Sequence, residues 1–132
     1  MISSLAMSRT GLDAASLRLE ASAANVANQR TSGALPAEPG GRAGAYAPVD
    51  VVQVSRDGAG VEARLAERRP AYYPAYDPGS PDANAQGLVA MPNVDLVEEV
   101  TNQILAAASF EANVAAMRAA KDMAETLLDV TA

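Results

Sequence analysis

From Asn93 to the C-terminus the chain contains neither Pro nor Gly, and its apolar residues recur three or four positions apart. Val97, Val100, Ile104 and Ala107 open this stripe. After a jog over Ala107–Glu111 it resumes at Val114, Met117, Ala120, Ala124 and Leu128, with Phe110 on its flank. The spacing predicts a single α-helix from Asp95 onward. A helix of roughly 35 residues is about 50 Å long. That exceeds the diameter of a compact domain built from 132 residues, so it needs a partner along its face. Asp95, with Glu98 three residues on, reads as a capping-box-like start, and Glu98 and Glu99 complement the helix dipole. Helix initiation accounts for all three acids without catalysis.

The obvious partner is at the other end. Leu5, Leu12, Leu19 and Val26 recur every seven residues, Pro is absent before Pro36, and Gly11 is the only Gly before Gly33. This predicts a helix from about Ile2 to Asn28 with a narrow, coiled-coil-like seam. The seam is expected to meet Val100, Ile104, Val114, Met117 and Leu128. Asn25 and Asn28 serve either as stop residues at the helix end or as hydrogen-bonding groups for a partner chain. Ala is the commonest residue, at 30 of 132, and it is the best helix former but buries little area. Closely packed helices are therefore expected rather than a thick private core.

Between the helices, residues 32–48 are rich in Pro, Gly and Ala and have no period, which predicts a flexible loop. Val49–Val54 and Val61–Arg68, separated by a break containing Asp57-Gly58, predict a β-hairpin that must lie on the helices or on a neighbouring chain. An extended, Pro-punctuated segment follows, whose Tyr72, Tyr73 and Tyr76 suit an interface anchor or packing on the chain's own helices. Residues from Tyr76 to Asp95, with Met91 and Asn93, read as an ordered connector. The expected fold class is mainly α. Residues 1–31 and 95–132 pair as one helical domain, and 32–94 hold the loop, hairpin and connector.

Several chemistries are excluded. Without His or Cys there is no imidazole base, thiol nucleophile, thiolate metal site or disulfide. Asp82, Asn84, Gln86 and Gly87 mimic the start of a calcium loop, but its twelfth position is Asn93, so the bidentate acid is missing. Gly40 to Gly44 lack the Lys of a phosphate-binding loop. Arg64, Arg68 and Arg69 read as a solvated strand face. The net charge of −6 arises almost wholly after Ala75, which argues against nucleic acid and anionic membranes. No apolar run approaches a membrane span, and the N-terminus has no signal-peptide pattern. No catalytic residue, metal, cofactor or small-molecule substrate is expected. A soluble acidic helical-hairpin adaptor remains an alternative on seams and charge alone.

Three motifs add a resemblance. YDPGSPDANAQGLVAMPNVDLVEEV (Tyr76–Val100) resembles the signature of the FlgC family of proximal rod proteins of the flagellar basal body, SFEANVAAMRAAKDM (Ser109–Met123) resembles that family's C-terminal motif, and ASAANVANQRTSG (Ala21–Gly33) resembles a motif shared across rod and hook axial proteins. The chain departs from the family pattern at Ala24, Ser80, Leu88, Phe110 and Glu111. The resemblance implies paired terminal helices in an inner coiled-coil layer and a smaller outer part. It also implies a structural, non-enzymatic role in transmitting torque. Implied partners are copies of the chain, other rod proteins, rod adaptor and membrane-ring proteins, and the flagellar type III export apparatus. Export without a cleaved signal and assembly in the periplasm follow from the same resemblance. The residues implied in assembly are the two seams, Asn25, Asn28, Tyr72, Tyr73, Tyr76, Met91, Asn93, Phe110 and Asn113.

Overall fold

The computed structural model describes residues 2–38, 41–58 and 60–131. Two long helices, α1 (Ile2–Asn28) and α2 (Leu96–Thr131), enclose in sequence four strands: β1 (Val49–Arg56), β2 (Gly60–Glu67), β3 (Tyr72–Tyr76) and β4 (Leu88–Pro92). The fold is mainly α with a small β middle, as expected. The helices are antiparallel: Asn25 meets Glu99 near one end, and Gly11 faces Asn113 further along.

β1 and β2 form the predicted hairpin, with Val49 opposite Glu67 and Arg56 opposite Gly60. A two-stranded hairpin is marginal alone. Here it lies on α1: the Val61 N–H donates to Thr10 Oγ1 at 3.2 Å. The Tyr segment, expected to be merely extended, forms a second hairpin with β4. Tyr72 lies opposite Pro92 and Tyr76 opposite Leu88. The residues read as a connector are therefore the loop and return strand of that hairpin. The Asn84 side-chain oxygen accepts from the N–H groups of Gln86 and Leu88, so a local turn performs what looked like ligand chemistry. The Asp77 N–H bonds the Gly87 carbonyl and the Asn93 N–H bonds the Ala71 carbonyl, flanking the pair. The alternation of an antiparallel ladder then turns the nitrogen of Pro74 toward the outer edge of β3, where a missing donor leaves no ladder bond unmade.

The segment expected to be a loose loop is tied at both ends. Gly33 exchanges two backbone hydrogen bonds with Ala90, at 2.8 and 3.1 Å, and the Gly44 N–H donates to the Ala34 carbonyl at 2.9 Å. A Cβ on Gly33 would stand 2.3 Å from the Gly44 carbonyl carbon, so only glycine permits this approach. Pro39 and Gly40 of that loop lie outside the described residues.

Buried apolar residues are mostly small: Ala14, Ala15, Ala21, Ala90, Ala106 and Ala120, with Val89, Pro48 and Pro92 among the larger. The low aliphatic content is thus used in close approach rather than in a thick core.

Candidate assembly surface

Behind the surface lies a polar node joining both helices to the hairpin. Asn25, only 1% exposed, is its centre. Its Nδ2 donates to the Val49 carbonyl and to Glu99 Oε1, both at 2.9 Å. Its Oδ1 accepts from the Val49 N–H at 3.0 Å and from the Tyr46 hydroxyl at 3.1 Å. The amide thus bonds both backbone groups of Val49, as a neighbouring strand would, and closes that edge position of β1. Glu99 is equally buried. Its Oε1 also accepts from Arg68 at 2.9 Å, and Ser22 Oγ donates to its carbonyl at 2.9 Å. Arg68 closes the node by bonding Asp50 at 2.6 Å and reaching Glu98 at 3.5 Å. Among the described residues, no buried side-chain nitrogen or oxygen lacks a partner. A buried charge held this way meets its desolvation cost with paired hydrogen bonds.

The electrostatics follow from this packing. Arg68 is held above its ordinary range, first by the hydrogen bond to Asp50 and further by the charges of Asp50, Glu98 and Glu99. Burial, then the Glu99 charge, pushes the Tyr46 phenol above 10.0. On the exposed hairpin surface, hydrogen bonding to Arg64, assisted by Arg56, lowers the Glu62 carboxyl.

The node corrects three sequence readings. Asn25 is turned inward to its own chain instead of toward a partner. Glu99 is an anchor rather than only a first-turn charge, although Asp95 caps α2 as expected, its Oδ1 accepting from the N–H groups of Val97 and Glu98. Arg68 is largely buried instead of solvated. Asn28 does end α1, and its side chain bonds the Ala24 carbonyl.

The helix contact corrects a fourth. Val100 and Ile104, expected to face α1, are 44 and 65% exposed, and Val97 of the same stripe is 76% exposed. The face of α2 toward α1 is instead Glu99, Asn102, Ala106, Asn113, Met117 and Ala120, all buried or half-buried. At 3.6 residues per turn, Val97, Val100 and Ile104 project from roughly the opposite side. The jog at Ala107–Glu111 is therefore a change of face: the stripe is outward before it and inward from Val114 to Ala124, while Leu128 at its end is exposed. On α1, the buried Ala14, Ala21 and Asn25 lie nearly half a turn from the seam. Leu5, Leu12 and Val26 are consequently half-buried, and Leu19 is exposed. Gly11 sits against Asn113 of α2. A Cβ there would lie 2.5 Å from Asn113 Oδ1.

Of the other expected residues, Val114 and Tyr72 are half-buried, while Leu128, Tyr73 and Tyr76 are exposed. Met91 pairs with Tyr73 across the second hairpin. Asn93 ties its side chain to the Pro70 carbonyl at 3.0 Å. Leu19 and Phe110 line a shallow apolar groove with Ala15, Ser16, Ala106 and Ala107, bordered by Glu20 and Glu111. Among the described residues no cluster of three potential metal ligands occurs, and no helix is long and apolar enough to cross a membrane.

What this surface serves is narrowed by its relatives. Residues 85–130 match the family model described as flagellar basal body rod FlgEFG protein C-terminal. The chain is 32% identical over 126 residues to the flagellar basal-body rod protein FlgC of Agrobacterium fabrum, covering 92% of this chain and 88% of the relative. It is 32% identical over 114 residues to that of Salmonella typhimurium, covering 86% and 85%. It is 30% identical over 128 residues to that of Aquifex aeolicus, covering 95% and 92%. At 30–32% identity over most of both chains, this chain belongs to the FlgC family of flagellar basal-body rod proteins.

Proposed function

We propose that this chain is a structural subunit of the proximal rod that assembles by helix packing and carries torque along the axis. The observation that carries the reading is the outward stripe of α2. Val97, Val100 and Ile104 are exposed on a helix whose other side is already occupied by α1. Large aliphatics at helical spacing on such a face suit a helix supplied by another subunit. The exposed Tyr73 and Tyr76 offer a second contact for the outer part. Other rod proteins, rod adaptor and ring proteins are the natural neighbours. Export through the type III apparatus without a cleaved signal, followed by assembly in the periplasm, completes the reading. No enzymatic step is part of it.

Ile104→Asp tests the stripe in a strain whose only copy carries the substitution. Because Ile104 is exposed, the chain is expected to fold, reach wild-type levels and leave the cell body, yet be absent from isolated basal bodies, which electron microscopy would show as rings without a rod. Complete rods containing the variant would refute packing through this face.

A further inference from the structure

The flank of α1 carries two patches of opposite character. Near its start, Leu5, Arg9 and Leu12 fall four and three positions apart and so share one face. Further along the same flank is the groove of Ala15, Leu19, Ala106 and Phe110, bordered by Glu20 and Glu111. Arg9, Glu20 and Glu111 are all exposed, and among the described residues none of the three forms an ion pair, whereas Arg42, Arg56, Arg64, Arg68 and Lys121 do. One patch is therefore an aliphatic pair with a cation between its members. The other is an apolar hollow with two anions.

We propose that the Leu5–Arg9–Leu12 face of one copy docks on the Leu19–Phe110 groove of a second copy, with Arg9 set between Glu20 and Glu111. The proposal rests on the rod reading and adds to it which faces of two copies meet. Charge complementarity selects the occupant: the groove needs aliphatic groups beside a cation, and α1 carries the half-buried Leu5 and Leu12 on either side of the exposed Arg9. The small floor residues Ala15 and Ala106 let a helix approach closely, and Leu19 and Phe110 give walls against which an inserted leucine packs. Arg9 and Glu20 are separated by about 16 Å along α1 at 1.5 Å per residue. The two patches thus differ and are displaced. A contact between unlike patches leaves a free patch at each end of the pair, so it propagates instead of closing into a symmetric dimer.

The absence of Cys makes the test direct. Two forms of the chain are co-expressed in a strain lacking the gene, one with Leu5→Cys and one with Phe110→Cys, and intact basal bodies are oxidised. A disulfide-linked pair containing one of each form, absent when either form is expressed alone, is the expected result. Basal bodies that hold both forms but yield no linked pair would overturn the docking while leaving the rod reading intact. Forms that accumulate in the cell but never enter basal bodies, while the Cys-free parent does not enter either, would overturn both.

Charge exchange provides a second measurement that does not depend on the disulfide. Arg9→Glu is expected to lower incorporation about tenfold, through like-charge contact with Glu20 and Glu111. In a mixture, a second chain carrying Glu20→Arg and Glu111→Arg is expected to restore incorporation of the first. Wild-type incorporation of Arg9→Glu alone, or no restoration by the second chain, would reject the proposal.

Discussion

The two sides of α2 solve opposite problems with opposite residues. The side facing α1 presents Glu99, Asn102, Ala106, Asn113, Met117 and Ala120, which apart from Met117 are small or polar. The far side presents Val97, Val100 and Ile104, which are large, aliphatic and exposed. In a protein that functions alone the assignment would run the other way. Here the intramolecular contact is specified by shape and hydrogen bonds, through the Gly11–Asn113 approach and the Asn25–Glu99 bond. On the function proposed above, the apolar area serves contacts outside the chain. Apolar burial is non-directional, whereas a saturated polar node admits one arrangement. The chain would then fix its own shape with directional bonds and use its less selective adhesion for assembly.

The sharpest way to break this comparison is Asn25→Ala. The substitution leaves both backbone groups of Val49 and the Tyr46 hydroxyl without their partner, and removes one of two donors to Glu99 Oε1. Orphaned buried polar groups are costly, so a loss of about 3 kcal/mol is expected, read as a lower urea midpoint with an unchanged slope. Ile104→Asp on the outer side is expected to alter the stability so measured by no more than about 0.5 kcal/mol. Equal losses from the two would erase the distinction between the faces.

The extent to which this was legible follows the same division. Helix ends were readable because their signals are local: Asp95 caps α2, Asn28 ends α1, and the Pro- and Gly-free run fixes the length of α2. The first hairpin was readable from alternation around Asp57-Gly58. The second was not, because Pro74 and Pro92 argue against strands, and their tolerated positions depend on which edge faces out. The faces of α2 were misread because periodicity weighs apolar size. A buried contact made of Ala, Asn and Glu has no such signal, and the Ala107–Glu111 jog was its only trace. The node was illegible for a related reason. Asn25, Arg68 and Glu99 are far apart in sequence, and each has an ordinary local explanation.

A smaller effect is expected at Gly11, where α1 meets Asn113 of α2. Gly11→Ala should favour the helix by about 1 kcal/mol from propensity alone. The added Cβ would nevertheless lie 2.5 Å from Asn113 Oδ1, forcing that side chain aside. Overpacking of this sort costs about 1–3 kcal/mol, so a net loss is expected. In the Asn113→Ala background the obstacle is gone, and the same Gly11→Ala change should become stabilising. Thermal unfolding of the four chains gives the coupling directly. Additive effects would mean that the approach of the helices is looser than the inner face described here.

The smallest effect concerns Tyr46, which reports on the node from its rim. Its hydroxyl donates to Asn25 Oδ1, an acceptor already engaged by the Val49 N–H. Burial and the nearby Glu99 charge both disfavour the phenolate, so the folded-state value lies above the ordinary 10.0. A group whose value is raised on folding stabilises the fold fully below its unfolded value, and that contribution is lost as pH rises through the folded one. The ultraviolet absorbance of tyrosinate should therefore show a component above pH 10.0 that is absent from Tyr46→Phe. In Asn25→Asp a second negative charge would replace the neutral amide beside the phenol, and the component should move higher still. A Tyr46 that ionises at the ordinary value would place its hydroxyl in water. Asn25 would then make its bonds without the rim of the node, and the inner face would be more open than the outer one requires.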